Sequence, residues 1–191
     1  MTDPRSERPR PAGIVLAGGA ARRMGGVDKA MLRVGGTPLL HRVVEALRDV
    51  DPVVVVGPRR EGLPGVRWTR EEPPGSGPVA GLAAALAVLE HRVDTVAVLA
   101  ADLAGVTSNT ITRLVAALDS DEEADGAVLV DADGRRQWLV GVWRRRSLDT
   151  AVPADPRGAS LRGTLGASSI VEVPALAGEA HDVDSPDDLR P

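Results

Sequence analysis

Residues 18–29 read GGAARRMGGVDK, with four glycines, the adjacent pair Arg22 and Arg23, and Lys29. Glycine permits close backbone approach and positive φ, so several N–H groups in such a stretch can converge on an anion. Arg22 or Arg23 together with Lys29 would add the positive charge a triphosphate attracts. Neither the GxxxxGK[ST] loop nor the GxGxxG fingerprint is present, which leaves two readings, a phosphate cradle of another kind or an ordinary strand-to-helix connection. Among 23 basic residues Lys29 is the only lysine. A compact ammonium on a flexible stem does what a planar guanidinium cannot, so Lys29 is a candidate for chemistry, with chance survival as the alternative. Asp102 is the second candidate. It ends the most apolar run of the chain, DTVAVLAA over 94–101, either as a functional carboxylate or as a cap after a buried strand.

These residues need elements to hold them. The run Gly13–Ala17 (GIVLA) is continuously apolar, as a buried parallel strand is. Thr37 and Pro38 supply an N-cap and first-turn proline for a helix over 38–49, on which Leu39, Leu40, Val43, Val44 and Leu47 recur at helical spacing. Val53–Val56 predicts a second strand and Val66–Thr69 a third, shorter one. A Pro/Gly loop over 70–77 leads to a helix from Pro78 to about Glu90. The strand 94–101 and a helix from about Ser108 to Leu118 follow. This alternation predicts an α/β fold, a three-layer, doubly wound and mostly parallel sheet of Rossmann-like type, with ligands at the carboxyl ends of its strands. Beyond residue 124 the pattern changes: Gly126–Val130, the turn Asp133-Gly134 and Gln137–Trp143 read as a β-hairpin insertion. A helical piece near Ala159–Leu165, a strand at Ile170–Val173 and a short helix starting at Ser185 complete the chain. Residues 1–11 read as a disordered tail and 12–191 as a single domain.

Composition narrows the function. Aromatic residues are 2% of the chain, three Trp with no Phe or Tyr, which disfavours base-stacking readers of single strands. The net charge is -4, without a basic block for nucleic acid or an acidic membrane. No apolar run approaches a spanning helix and the start has no secretion h-region, so neither nucleic acid nor membrane is expected as a partner and the expected compartment is the cytoplasm. The chain has no Cys, and hence no disulfide or thiolate metal site. Its three scattered His argue against a zinc enzyme.

LAGG, three residues, RMG and then DK resembles the signature loop of the molybdenum cofactor guanylyltransferases and their nucleotidyltransferase relatives. The resemblance extends to Gly77-Pro78-Val79-Ala80-Gly81-Leu82, to Leu99-Ala100-Ala101-Asp102, to Gln137-Trp138-Leu139 and to Asp182–Leu189. It implies a nucleotidyltransferase that joins GMP from GTP to a molybdopterin phosphate and releases pyrophosphate, with Mg²⁺ as cofactor. It also implies transient contact with other cofactor-biosynthesis proteins. Lys29, Arg23 and Asp102 would be catalytic; Leu16, Ala17, Gly18, Gly19, Lys29, Glu71, Gly77 and Asp102 would contact the nucleotide; Asp102 and Asp184 would hold the metal. Glu71 otherwise reads as a solvated charge and Asp184 as a helix cap. Trp138 is a candidate to stack on a pterin, against semi-buried packing, and Arg144–Arg146 read as a solvated face. His41 reads as surface or packing. Gly57 stands where the family's guanylyltransferases often carry Asn, and Leu103-Ala104-Gly105 replaces the customary continuation after the aspartate. A cytidylyltransferase, another phosphorylated acceptor or a catalytically silent nucleotide- or pterin-binding subunit are the alternatives.

Overall fold

A computed structural model of the chain describes residues 10–18 and 28–180. The elements, in chain order, are β1 (Ala12–Leu16), a 3-10 helix (Lys29–Met31), β2 (Arg33–Val34), β3 (Thr37–Pro38), α1 (Leu39–Ala46), β4 (Val53–Val56), β5 (Arg67–Thr69), α2 (Pro78–Val88), β6 (Thr95–Ala100), α3 (Ser108–Asp119), β7 (Gly126–Val130), β8 (Arg136–Arg144), α4 (Arg145–Ala151), α5 (Leu161–Leu165) and β9 (Ile170–Pro174). Seven strands form one sheet in the order β5-β4-β1-β6-β8-β7-β9. β8 runs antiparallel to both its neighbours, whereas the other pairings are parallel.

β1, β4 and β6 are buried on both faces, which is why they are runs of Val, Ile, Leu and Ala without polar alternation. One face carries α1 and α3, whose Leu40, Val43, Ile111, Leu114 and Leu118 pack on Val15, Val55, Ala97 and Leu99. The other carries α2, α4 and α5, with Val79, Leu82, Leu148 and Leu165 against Ile14, Val54, Val98 and Trp143. These are the three layers expected. Several boundaries moved. Thr37 pairs with Val34 in a small hairpin, so Thr37 does not cap α1, and Pro38 occupies its N-cap. The predicted hairpin over 126–143 is present, with β8 inserted between β6 and β7 as part of the main sheet.

The strand order locates the site. From β1 the chain moves outward through β4 to β5, then returns along α2 to place β6 on the other side of β1. Strand order therefore reverses between β1 and β6, and in open α/β sheets ligands bind in the crevice outside the carboxyl ends at that reversal. Leu16 pairs with Ala100 there, and the Ala101 N–H donates to the Leu16 carbonyl at 3.1 Å. Gly18 and Asp102 follow at the same edge.

Candidate active site

A recess at this reversal is lined by Leu16, Ala17, Gly18, Asp28, Lys29 and Asp102, with Ala30 and Ala101 completing its wall. Of the residues expected to work together, Leu16, Ala17, Gly18, Lys29 and Asp102 are thus brought together. Lys29 opens the 3-10 helix, which is held by hydrogen bonds from the Met31 N–H to the Asp28 carbonyl and from the Leu32 N–H to the Lys29 carbonyl. Asp102 lies two residues beyond the buried end of β6. Gly19, Arg22, Arg23 and Asp184, with the predicted helix at Ser185, lie outside the described residues.

Glu71 is not a solvated charge. It is 6% exposed, and its carboxylate lies against Gly18, where a Cβ would sit 3.6 Å from Oε1 and 3.8 Å from Oε2. Oε1 accepts from the Gly75 N–H at 2.8 Å, whereas the buried Oε2 has no hydrogen-bond partner among the described residues. A buried carboxylate oxygen left without a donor costs free energy. Gly77 is the N-cap of α2 with φ +103°. One turn on, a Cβ at Gly81 would meet Val56 and Leu16, so this end of α2 lies over the carboxyl ends of β4 and β1.

The departures from the family pattern have physical reasons. Gly57 has φ +145°, and a Cβ there would lie 2.8 Å from the Ala17 carbonyl oxygen. No side chain can stand at the end of β4 without displacing the exit of β1. Gly105 packs against the Gly178 carbonyl too closely for any Cβ, which fixes the segment after Asp102 beneath the chain leaving β9.

Several arginines that sequence reasoning had not singled out, or had read as solvated, are tied into the fold. Arg60, with a side chain 8% exposed, donates to both carboxylate oxygens of Asp28 at 2.7 and 2.9 Å and to the Ala17 carbonyl at 3.2 Å. Arg42 donates to the Ala104 carbonyl and so ties the segment after Asp102 to α1. Nothing in the local sequence distinguished these two from the other arginines. Arg144–Arg146 are not simply a solvated face. Arg144 donates to the Ala124, Leu118 and Asp121 carbonyls, and Arg145 is buried, paired with Asp149 and bonded to the Leu86 carbonyl. Since Arg144 pairs with Thr95 at the start of β6, they sit at the strand edge opposite Asp102.

Trp138 lies near the active edge, because β6 and β8 pair as far as Leu99 with Val140 and a register shift in β7–β8 falls between Gln137 and Gly141. Its ring already stacks on Trp143, with centroids 6.5 Å apart, and has Arg136 at 5.9 Å from its centroid. That favours packing over a free stacking platform. His41 packs beside Gly62, and its buried Nε2 has no hydrogen-bond partner among the described residues. Among the described residues no three His, Asp or Glu side chains cluster as a metal site, and no helix is long and apolar enough to cross a membrane.

An open α/β sheet with a recess at its switch point is an architecture that many nucleotide-binding proteins use. Residues 13–172 match the MobA-like NTP transferase domain, and the chain belongs to that family of nucleotidyltransferases. A probable molybdenum cofactor guanylyltransferase of Opitutus terrae is 40% identical over 145 residues, 73% of this chain and 69% of that protein. Rv0371c of Mycobacterium tuberculosis shares the fold with a TM-score of 0.76 at 20% identity, over 94% of each chain. Molybdopterin-guanine dinucleotide biosynthesis protein A of Archaeoglobus fulgidus does so with 0.66 at 20% identity, over 93% of this chain and 94% of that one.

Proposed function

We propose that the protein transfers GMP from GTP to the terminal phosphate of molybdopterin. The observation that carries this reading is the convergence of Gly18, Lys29 and Asp102 on one recess at the switch point, in a chain of this family. A phosphate oxygen of the acceptor attacks the α-phosphorus of GTP; the new P–O bond forms as the bond to the β-phosphate breaks, and pyrophosphate leaves. Such a reaction needs positioning and charge neutralisation more than covalent help. Backbone N–H groups of the glycine-rich stretch and the Lys29 ammonium bind the triphosphate, and Arg23 adds positive charge beside it.

Asp102 suits Mg²⁺, a hard cation that takes one or two carboxylates and fills its remaining positions with phosphate oxygens and water. Asp184 is the second ligand in this proposal. When bound, the metal neutralises charge on the phosphates. Glu71 decides the base: guanine alone presents two adjacent donors, N1–H and the 2-amino group, to a carboxylate whose Oε2 has no hydrogen-bond partner among the described residues. Leu16, Ala17 and Gly18 supply backbone to the same base, and Gly77 closes the site from α2. Acting on a nucleoside triphosphate, the protein would work in the cytoplasm as a single catalytic domain over 12–191.

Calorimetric titration with GTP, CTP, ATP and UTP, each with and without Mg²⁺, tests this. Selective Mg²⁺-dependent binding of GTP is expected. Preference for CTP would transfer the reading to a cytidylyltransferase, and binding without turnover on any acceptor would make the protein a silent subunit.

A further inference from the structure

We propose that Arg60 is a positioning residue of the triphosphate site, which cancels the Asp28 charge beside Lys29 and ties Asp28 to the exit of β1. The proposal rests on the reading that this edge holds a triphosphate. Every side of the Arg60 guanidinium is used: Nε and Nη2 grip the two Asp28 oxygens, Nη2 also reaches the Ala17 carbonyl, and Nη1 donates to the Pro58 carbonyl at 3.2 Å. Ala17 is the residue after β1, and Asp28 immediately precedes Lys29. One planar group therefore ties the residue before Lys29 to the exit of β1.

Electrostatics gives Arg60 a second task. Asp28 and Lys29 line the same recess, and an uncompensated carboxylate there would repel the triphosphate that Lys29 attracts. The bidentate, charge-assisted pair neutralises it. Arg60 itself is directed toward Asp28 and backbone carbonyls, so it acts through these groups.

The two partners are consequently not equivalent. Removing Arg60 leaves an anion beside the phosphates; removing the Asp28 charge leaves a cation. A merely structural ion pair would be damaged alike by either loss. The test is titration of Mg²⁺·GTP and of guanosine into wild type, Arg60→Met, Asp28→Asn, the double variant and Lys29→Ala.

Arg60→Met is expected to bind GTP about tenfold or more weakly, with a much smaller loss for guanosine. Asp28→Asn should lose much less, and the double variant should return toward Asp28→Asn. GTP binding by Arg60→Met equal to wild type, equal losses in both single variants, or an equal loss for guanosine would each overturn charge cancellation by Arg60. If Arg60→Met does not fold, Arg60→Lys carries the comparison, since an ammonium keeps the charge but cannot grip Asp28 and Ala17 together. Weakened GTP with a much smaller loss for guanosine supports the proposal there, and unchanged GTP defeats it. Failure of the underlying reading looks different: wild type would not bind Mg²⁺·GTP, or Lys29→Ala would bind it unchanged, and both proposals would fall.

Discussion

Lys29, Asp102 and Glu71 divide the proposed chemistry among charge neutralisation, metal ligation and base choice. Lys29→Ala and Asp102→Ala are each expected to lower turnover by roughly 10²-fold or more while melting temperature stays near wild type, because both act on charge developing at phosphorus. Steady-state pyrophosphate release and thermal melting check this. Glu71→Gln replaces one acceptor oxygen by an amide that faces donors with a donor, and should cut the preference for GTP over ATP by roughly 10- to 100-fold, read from competition between the two nucleotides. That Lys29 and Asp102 would meet at one edge was legible because residue type and chain position agreed: a lone lysine in a glycine-rich stretch and an aspartate ending an apolar strand. The burial of Glu71 was not, since REEPPGSG looks solvated until the fold lays it against Gly18. Arg60 was hidden for a different reason. Its role depends on meeting Asp28 across the sheet edge, a contact that neither local sequence announces.

The elements that carry the site were easier to read than its side chains. β1, β4 and β6 are buried on both faces, so continuous apolar runs marked them, and a proline at the start of α2 marked the helix. α4 escaped because its first residues are Arg145 and Arg146, which look like solvent-facing charge, while the burial of Arg145 comes from Asp149 and the Leu86 carbonyl. The end of β4 offers a test at this scale. Gly57→Ala must strain a φ of +145° and push on the Ala17 carbonyl, and is expected to cost on the order of 1–3 kcal/mol. Denaturant unfolding would show that loss, with weakened GTP binding because the exit of β1 moves.

Across the whole molecule, the chain returns from β9 to α3 through a buried carboxylate. Burial of Glu179 raises its pKa, but hydrogen bonds from Thr110, Arg113 and the Leu176 N–H outweigh it and hold the group below the ordinary glutamate range. A lowered folded pKa contributes stability above the unfolded value, about 4.3, and that stability fades as pH falls through the folded value. The gap in urea midpoint between wild type and Glu179→Gln should therefore be largest at pH 6 and narrow toward pH 3; a gap independent of pH would contradict this. The layer architecture was legible from the alternation of strands and helices. The insertion of β8 between β6 and β7 was not, because a hairpin pattern says nothing of which sheet edge it joins. The measurement that bears most directly on the central claim is turnover of α-labelled GTP with molybdopterin and Mg²⁺. Labelled GMP covalently joined to the pterin, with one pyrophosphate released per GTP consumed, is the predicted result. Label transferred from CTP in preference to GTP, or GTP bound with no pyrophosphate released, would contradict it.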